Sequence, residues 1–305
     1  MELFKTNSKI DFMGISKLTT GASFLLIACS LICIITYGLN FGLEFTGGTQ
    51  IELLFAKPIE TGVVELLLEE STIEGARVQH YGSAQDIMIR LNYTQTSNDE
   101  LKILMQEIFT GYDFEIRQID FVGSEVGQQL AEKGTIAVIV AIITVMLYIA
   151  LRFEYRLAAS SSLALVHDAI CVLGVFAFFQ IEFDLAALAA ILAVIGYSLN
   201  DTIVVFDRVR ENFRYMRKAC ATEVMNLSIN QTLSRTIMTS FLTLLVTLAL
   251  LIFGGETLFG FSLALSIGIL VGTYSSIYVA GSMAIMLGLS REDLLSKPKA
   301  LDTTP

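Results

Sequence analysis

The sequence predicts a polytopic α-helical membrane protein: six transmembrane helices, with one external α+β domain of ferredoxin-like type between the first and second. Three observations predict it. The chain has 305 residues with only three prolines and a mean hydropathy of +0.65, the balance of a protein whose main solvent is lipid. Six apolar runs come close to the roughly 20 residues needed to cross a hydrocarbon core. Charge is segregated: residues 39–131 hold fifteen Asp/Glu against five Lys/Arg, the whole of the net charge of −10, and the remainder has fifteen of each sign. An acidic block of this kind excludes a nucleic-acid partner, which would need a basic face.

The apolar runs lie at 18–37, 133–151, 157–180, 185–206, 236–254 and 259–287. The first follows Lys5, Lys9 and Lys17 and has the charge layout of a signal sequence. It is too long for a typical signal core and lacks an A-x-A site, so it reads as a retained anchor. Placing residues 1–17 in the cytoplasm puts Arg152 and Arg156, the basic loop 207–235 and the tail 289–305 with Arg291, Lys297 and Lys299 on the same side. The opposite turns, 180–184 and 254–257, have no Lys or Arg. This is the positive-inside pattern. It places 38–131 in the periplasm and makes 132–288 the membrane domain. The basic loop, with Phe213, Tyr215 and Met216 interspersed, reads as an interfacial helix on anionic lipid or as a dock for a cytosolic partner.

Within 38–131, residues 49–56 have strand character and 60–71 have helical spacing, with Val63, Val64, Leu67 and Leu68 on one side. Strands follow at 76–81 and 86–91. A second helix spans 98–109, capped by Ser97 or Asn98, and a last strand spans 113–122. The order β-α-β-β-α-β predicts a ferredoxin-like arrangement.

The first functional candidate is Asp201, next to Asn200 inside the fourth apolar run. An ionisable group at membrane depth costs roughly 2.5–3.5 kcal/mol even on insertion scales, and such groups mark ion paths or buried pairs. On a helix Tyr197, Asn200, Asp201 and Val204 would share a face. A carboxylate able to exchange a cation partner for a proton could act as a carrier; the plainer alternative is a static salt bridge. Arg235 is the partner candidate, heading a stripe of Thr239, Thr243 and Thr247 at four-residue spacing. Its guanidinium could instead reach the headgroups, and each Thr could bond its own helix. His167 and Asp168, inside the third run, are candidates for a proton relay or for a structural hydrogen bond. Adjacent helical positions point about 100° apart, so the two need not touch.

After the first helix comes Gly42-Leu43-Glu44-Phe45-Thr46-Gly47-Gly48. Gly47 and Gly48 permit a tight positive-φ bend leading into the first strand. No phosphate loop is present. Gly268 and Gly272 mark a close-packing face on the sixth helix. Cys29, Cys33, Cys171 and Cys220 form no disulfide framework, and two distant histidines, His80 and His167, form no metal site. With no nucleophile–base pair and no Walker motif, the sequence predicts neither an enzyme nor a resident cofactor.

Taken together, residues 38–49 (GLNFGLEFTGGT), 152–159 (RFEYRLAA) with His167-Asp168, 196–211 (GYSLNDTIVVFDRVRE) and 230–240 (NQTLSRTIMTS) resemble the SecF family. These are the smaller membrane subunits of the SecDF accessory complex of bacterial Sec protein translocase. Glu44 stands where the family usually has Asp. The resemblance implies six helices forming one half of an assembly related to resistance-nodulation-division (RND) transporters, in the bacterial inner membrane. It implies partners: SecD, the SecYEG channel, YajC as a candidate third subunit, the translocating preprotein on the periplasmic side, and membrane lipids. It implies use of the proton-motive force to promote late-stage translocation. It links Asp201, Arg235 and Thr239, with Asn200 beside them, to proton transport, a further carboxylate coming from SecD. Two other readings fit the same layout: half of an RND-like proton-coupled small-molecule exporter, or a translocon stabiliser that conducts no ions.

Overall fold

The computed structural model describes residues 10–71, 73, 76–91, 97–216 and 218–291. Parts of both predicted tails (1–9 and 292–305) and Arg217 of the basic loop lie outside the described residues. The chain divides into two units, one of 41–137 with 182–185 and one of the rest.

In the first unit, β1 (Asn40–Phe41) and the single turn α2 (Leu43–Thr46) precede β2 (Gly48–Phe55). Then come α3 (Thr61–Glu70), β3 (Arg77–Tyr81), β4 (Ser83–Leu91), α4 (Asn98–Ile108) and β5 (Phe114–Val122). The sheet order is β3-β4-β2-β5, antiparallel throughout, which is the predicted ferredoxin-like topology. Alternation in β2 puts Ile51, Leu53 and Phe55 on one face. There they join Ile87 and Ile89 of β4, Val64 and Leu68 of α3, and Leu101 and Met105 of α4. The α4 start is fixed by a capping box: the Ser97 hydroxyl accepts from Glu100 N and the Glu100 carboxylate accepts from Ser97 N. His80 is exposed on β3. Gly47 and Gly48 both have positive φ (67° and 123°), as the bend requires. The turn α2 between Gly42 and Gly47 was not anticipated.

Among the described residues six helices are long and apolar enough to cross a membrane. They are α1 (Ser16–Tyr37), α5 (Ser124–Arg152), α6 (Tyr155–Phe179), α7 (Leu185–Tyr215), α8 (Ala221–Phe253), and α9 (Glu256–Tyr274) continuing through a π-helical turn, Ser275–Val279, into α10 (Ala280–Met286). In α6, α7 and α9–α10 about half of the most apolar stretch is buried, against 6% in α1 and α5 and 17% in α8. The first three form the packed centre. Small residues let it close: a Cβ on Gly268 would collide with Val194, and one on Gly272 would lie 3.0 Å from Ser198 Cβ.

In place of one interfacial helix, the ends of two long helices fill the basic segment 207–235. It is mostly helix: α7 runs on to Tyr215 and α8 begins at Ala221. These extensions are bound to the rest of the unit. Arg152 pairs with Asp207 at 2.7 Å, Arg208 donates to Gln231 at 2.7 Å, and Asn212 donates to Ser228 at 2.8 Å. Asn230 of the NQTLSRTIMTS motif both donates to Ile10 O (2.8 Å) and accepts from Ile10 N (3.0 Å), pinning the segment before α1. Polar helix outside the bilayer carries no hydropathy signal, which is why the apolar runs stopped short of these ends.

Candidate functional site

Two buried carboxylates sit in the packed centre of the helical unit. Asp168 on α6 is 1% exposed and Asp201 on α7 is 3% exposed. Their surroundings differ. Asp168 is fully engaged: Oδ2 accepts from Ser198 of α7 at 2.5 Å and from Ser275 of the π turn at 2.8 Å. Its Oδ1 lies 2.9 Å from His167 Nδ1. The two neighbours therefore do touch, because the side chains bend across the 100° step. His167 Nε2 faces Cys171 Sγ at 3.8 Å, and its ring lies 6.4 Å from that of Tyr274. Tyr274 in turn donates to Thr19 O at 2.8 Å. This polar knot ties α1, α6, α7 and the π turn together. π-Helical turns often mark functional positions, and here the turn delivers Ser275 to Asp168.

Asp201 is lightly held. Among the described residues it accepts one hydrogen bond, from Ser240 of α8, at a long 3.4 Å. The Thr273 hydroxyl of α9 lies 2.7 Å from Ser240 Oγ, so Ser240 can accept from Thr273 while donating to Asp201. One helical turn before Asp201, on the same buried face of α7, is Ser198, which binds Asp168. The two carboxylate networks are thus adjacent on α7, and both end on α9 or its π turn.

The other candidates fall differently. Arg235 is exposed and makes no ion pair with Asp201 within 4.0 Å. Asn200 is exposed, so it does not share the buried face with Asp201, being one 100° step away. Thr239 bonds its own helix, at Arg235 O (3.0 Å) and Thr236 O (3.0 Å), and Thr243 does the same at Thr239 O (2.8 Å). Of the stripe only Thr247 reaches across, accepting from Ser266 at 2.9 Å. The hydroxyl that reaches Asp201 is Ser240, one residue beyond Thr239. Ser198, Ser240, Thr273 and Ser275 were missed in the sequence. The glycine motif Gly42, Glu44, Phe45, Gly47 and Gly48 lies in the other unit. All four cysteines are free. No group of three or more His, Cys, Asp and Glu able to hold a metal occurs among the described residues.

Six membrane-length helices, two buried acids at their centre and a ferredoxin-like insertion after the first helix define a multi-pass membrane protein with an intramembrane ionisable site. Residues 102–290 match the family described as "Protein export membrane protein SecD/SecF, C-terminal", and residues 34–59 match the "SecD/SecF GG Motif". The chain belongs to the SecD/SecF family, on its SecF side. It is 46% identical to the protein translocase subunit SecF of Pseudomonas aeruginosa over 295 residues (96% of each chain). It is 47% identical to that of Vibrio alginolyticus over 300 residues (96% of this chain, 95% of that one). With SecF of Escherichia coli O157:H7 the identity is 42% over 294 residues (94% and 90%). Among solved structures it resembles SecDF, a translocon-associated membrane protein from Thermus, with a TM-score of 0.86 at 35% identity. It matches SecDF in its super-membrane-facing form with a TM-score of 0.69. Each match covers 93% of this chain but only 39% of the SecDF chain.

Proposed function

We propose that this chain is the SecF half of a SecD-paired complex in the bacterial inner membrane that uses the proton-motive force to promote late steps of protein export. The observation that carries the reading is Asp201: an acid 3% exposed in an apolar helix, held among the described residues by one 3.4 Å hydrogen bond. Changing its protonation disturbs a single weak contact. Asp168 would have to rearrange three, which suits an anchor. In this reading Asp201 binds and releases the proton while Ser240 and Thr273 register the change on α8 and α9. Arg235 and Asn200, exposed on α8 and α7, face the SecD subunit, which supplies the further carboxylate. One charge crossing 100 mV releases roughly 2.3 kcal/mol, enough to bias a conformational pair separated by a few kcal/mol.

The positive-inside pattern supports cytoplasmic termini and a periplasmic α+β domain, where it would meet the preprotein leaving SecYEG, with YajC as an accessory. The protein acts mechanically and catalyses no bond change. Poorly buried α1 and α5 contact lipid or SecD. The two SecDF scores, 0.86 and 0.69 at the same 35% identity, support a part that changes shape between forms. The test is export into inverted vesicles containing the assembled complex, with and without an imposed proton gradient. Asp201→Asn should lose the stimulation by the gradient and keep the ATP-driven component. Undiminished stimulation would reject the proposal.

A further inference from the structure

The glycine motif does more than bend the chain. Its surroundings give it a partner. Residues 182–185, the connection between α6 and α7, belong to the unit of the α+β domain, although the helices they join belong to the other unit. Here β6 (Glu182–Phe183) pairs with β1 in a two-stranded sheet. Gly42 N donates to Phe183 O at 3.0 Å. Phe183, 6% exposed, stacks on Phe45 (6.1 Å, 19°) and meets Phe41 edge-on (6.1 Å, 82°). Arg90 of β4 pairs with Glu182 and donates to Phe41 O at 3.1 Å, so one guanidinium holds both short strands. Gly42 has no room for a side chain: a Cβ would lie 3.1 Å from Glu182 Oε1 and 3.2 Å from Asp184 Cα. Glycine is needed there for close approach, its φ of −66° being open to any residue.

The join has little slack. Five residues, 180–184, separate the end of α6 at Phe179 from the start of α7 at Leu185. Among them Gln180 is the one non-glycine residue with positive φ (51°) among the described residues. Its carbonyl accepts from Asn40 at 3.0 Å and its side chain donates to Ala177 O at 2.7 Å. A left-handed residue held by its neighbours in this way resists extension. Asp201 lies sixteen residues along α7 from Leu185, roughly 24 Å at 1.5 Å per residue. A helix of that length transmits an axial shift to its end.

We propose that Phe41, Gly42 and Phe45 of the glycine motif, with Arg90, form a clasp on the α6–α7 connection, and that this clasp delivers movement of the acid-bearing helices to the α+β domain. This inference rests on the proton-driven reading above and names the linkage within it. Packing of Phe183 in the clasp is then a requirement for coupling, not for proton movement.

The test uses the assembled complex with SecD in vesicles, with proton flux and export measured on the same preparation. Phe183→Ala and Gly42→Val should keep flux and lose export, and Phe183→Tyr should retain both. Should Phe183→Ala fail to assemble, Phe183→Leu takes its place, since it keeps apolar bulk and loses the stack. Normal export from an assembled clasp variant would overturn the proposal. So would parallel loss of flux and export, which would make the segment part of the proton site. Failure of the underlying reading is separately visible, as wild-type flux in Asp201→Asn.

Discussion

Asp168 offers a prediction that separates what its hydrogen bonds contribute from what its charge contributes. Its carboxylate receives Ser198 at 2.5 Å, Ser275 at 2.8 Å and His167 Nδ1 at 2.9 Å, all at positions 1% exposed or less. Asp168→Ala removes the acceptor from all three. Ser275 has a fallback, since Gly272 O lies 3.1 Å from its hydroxyl. No such alternative is evident for Ser198 Oγ or His167 Nδ1 among the described residues. A buried donor left unmade costs about 1–3 kcal/mol, so two of them give about 2–6 kcal/mol, before any cavity contribution. Asp168→Asn keeps the shape and one acceptor oxygen that both serines can reach, and His167 can switch tautomer to accept from the new amide. It should cost about 1–2 kcal/mol, the difference between charge-assisted and neutral bonds. The assay is reversible unfolding in mixed detergent, with both variants measured against the parent. Equal losses in the two variants would refute the reasoning, because the acceptor and the shape that asparagine keeps would then count for nothing and the lost charge alone would set the cost.

Three further outcomes are expected. Ser240→Ala removes the hydrogen bond from Ser240 to Asp201, whereas Thr239→Ala removes only bonding to its own helix. A weak bond of about 1 kcal/mol corresponds to roughly fivefold, so proton flux should change about that much in Ser240→Ala and less in Thr239→Ala. Gly268→Leu drives a side chain into Val194 and should destabilise the α7–α9 contact by about 1–3 kcal/mol, read in the same unfolding assay. Glu182 has its pKa raised above the ordinary 4.5, first by burial, with Arg90 opposing and Glu44 and Asp184 adding to the rise. A raised acid binds more protons folded than unfolded. Its contribution to stability is therefore greatest at low pH and falls as pH climbs from about the ordinary value through the raised one. Glu182→Gln should flatten that part of the pH–stability profile, and an unchanged slope would count against the buried state of Glu182.

The sequence made much of the fold legible because the strongest physical signals are local. Hydropathy alone located the six spans, and the alternation around Ile51, Leu53 and Phe55 announced a strand with one buried face. Asp201 stood out because a carboxylate in an apolar run is costly. What was missed needs the third dimension. Ser198, Ser240, Thr273 and Ser275 look like any membrane-helix hydroxyl, and most such hydroxyls do bond their own backbone, as Thr239 and Thr243 do. Only packing decides which of them face an acid. Arg235 was a fair partner as the cation heading a polar stripe, yet it is exposed and makes no ion pair with Asp201 within 4.0 Å. Strands of two residues, β1 and β6, are too short to show alternation, so the partner of the glycine motif could not be read. The polar ends of α7 and α8 lacked hydropathy, although Arg208 and Glu211, three apart and paired at 2.5 Å, already had helical spacing.

The most direct measurement is proton flux through vesicles holding the assembled complex, comparing the parent with Asp201→Asn at equal protein content. Flux should vanish in the variant while the complex remains intact. A variant that still passes protons at the parental rate would show that the acid on α7 is a buried structural group and that the driving ion, if there is one, takes another route.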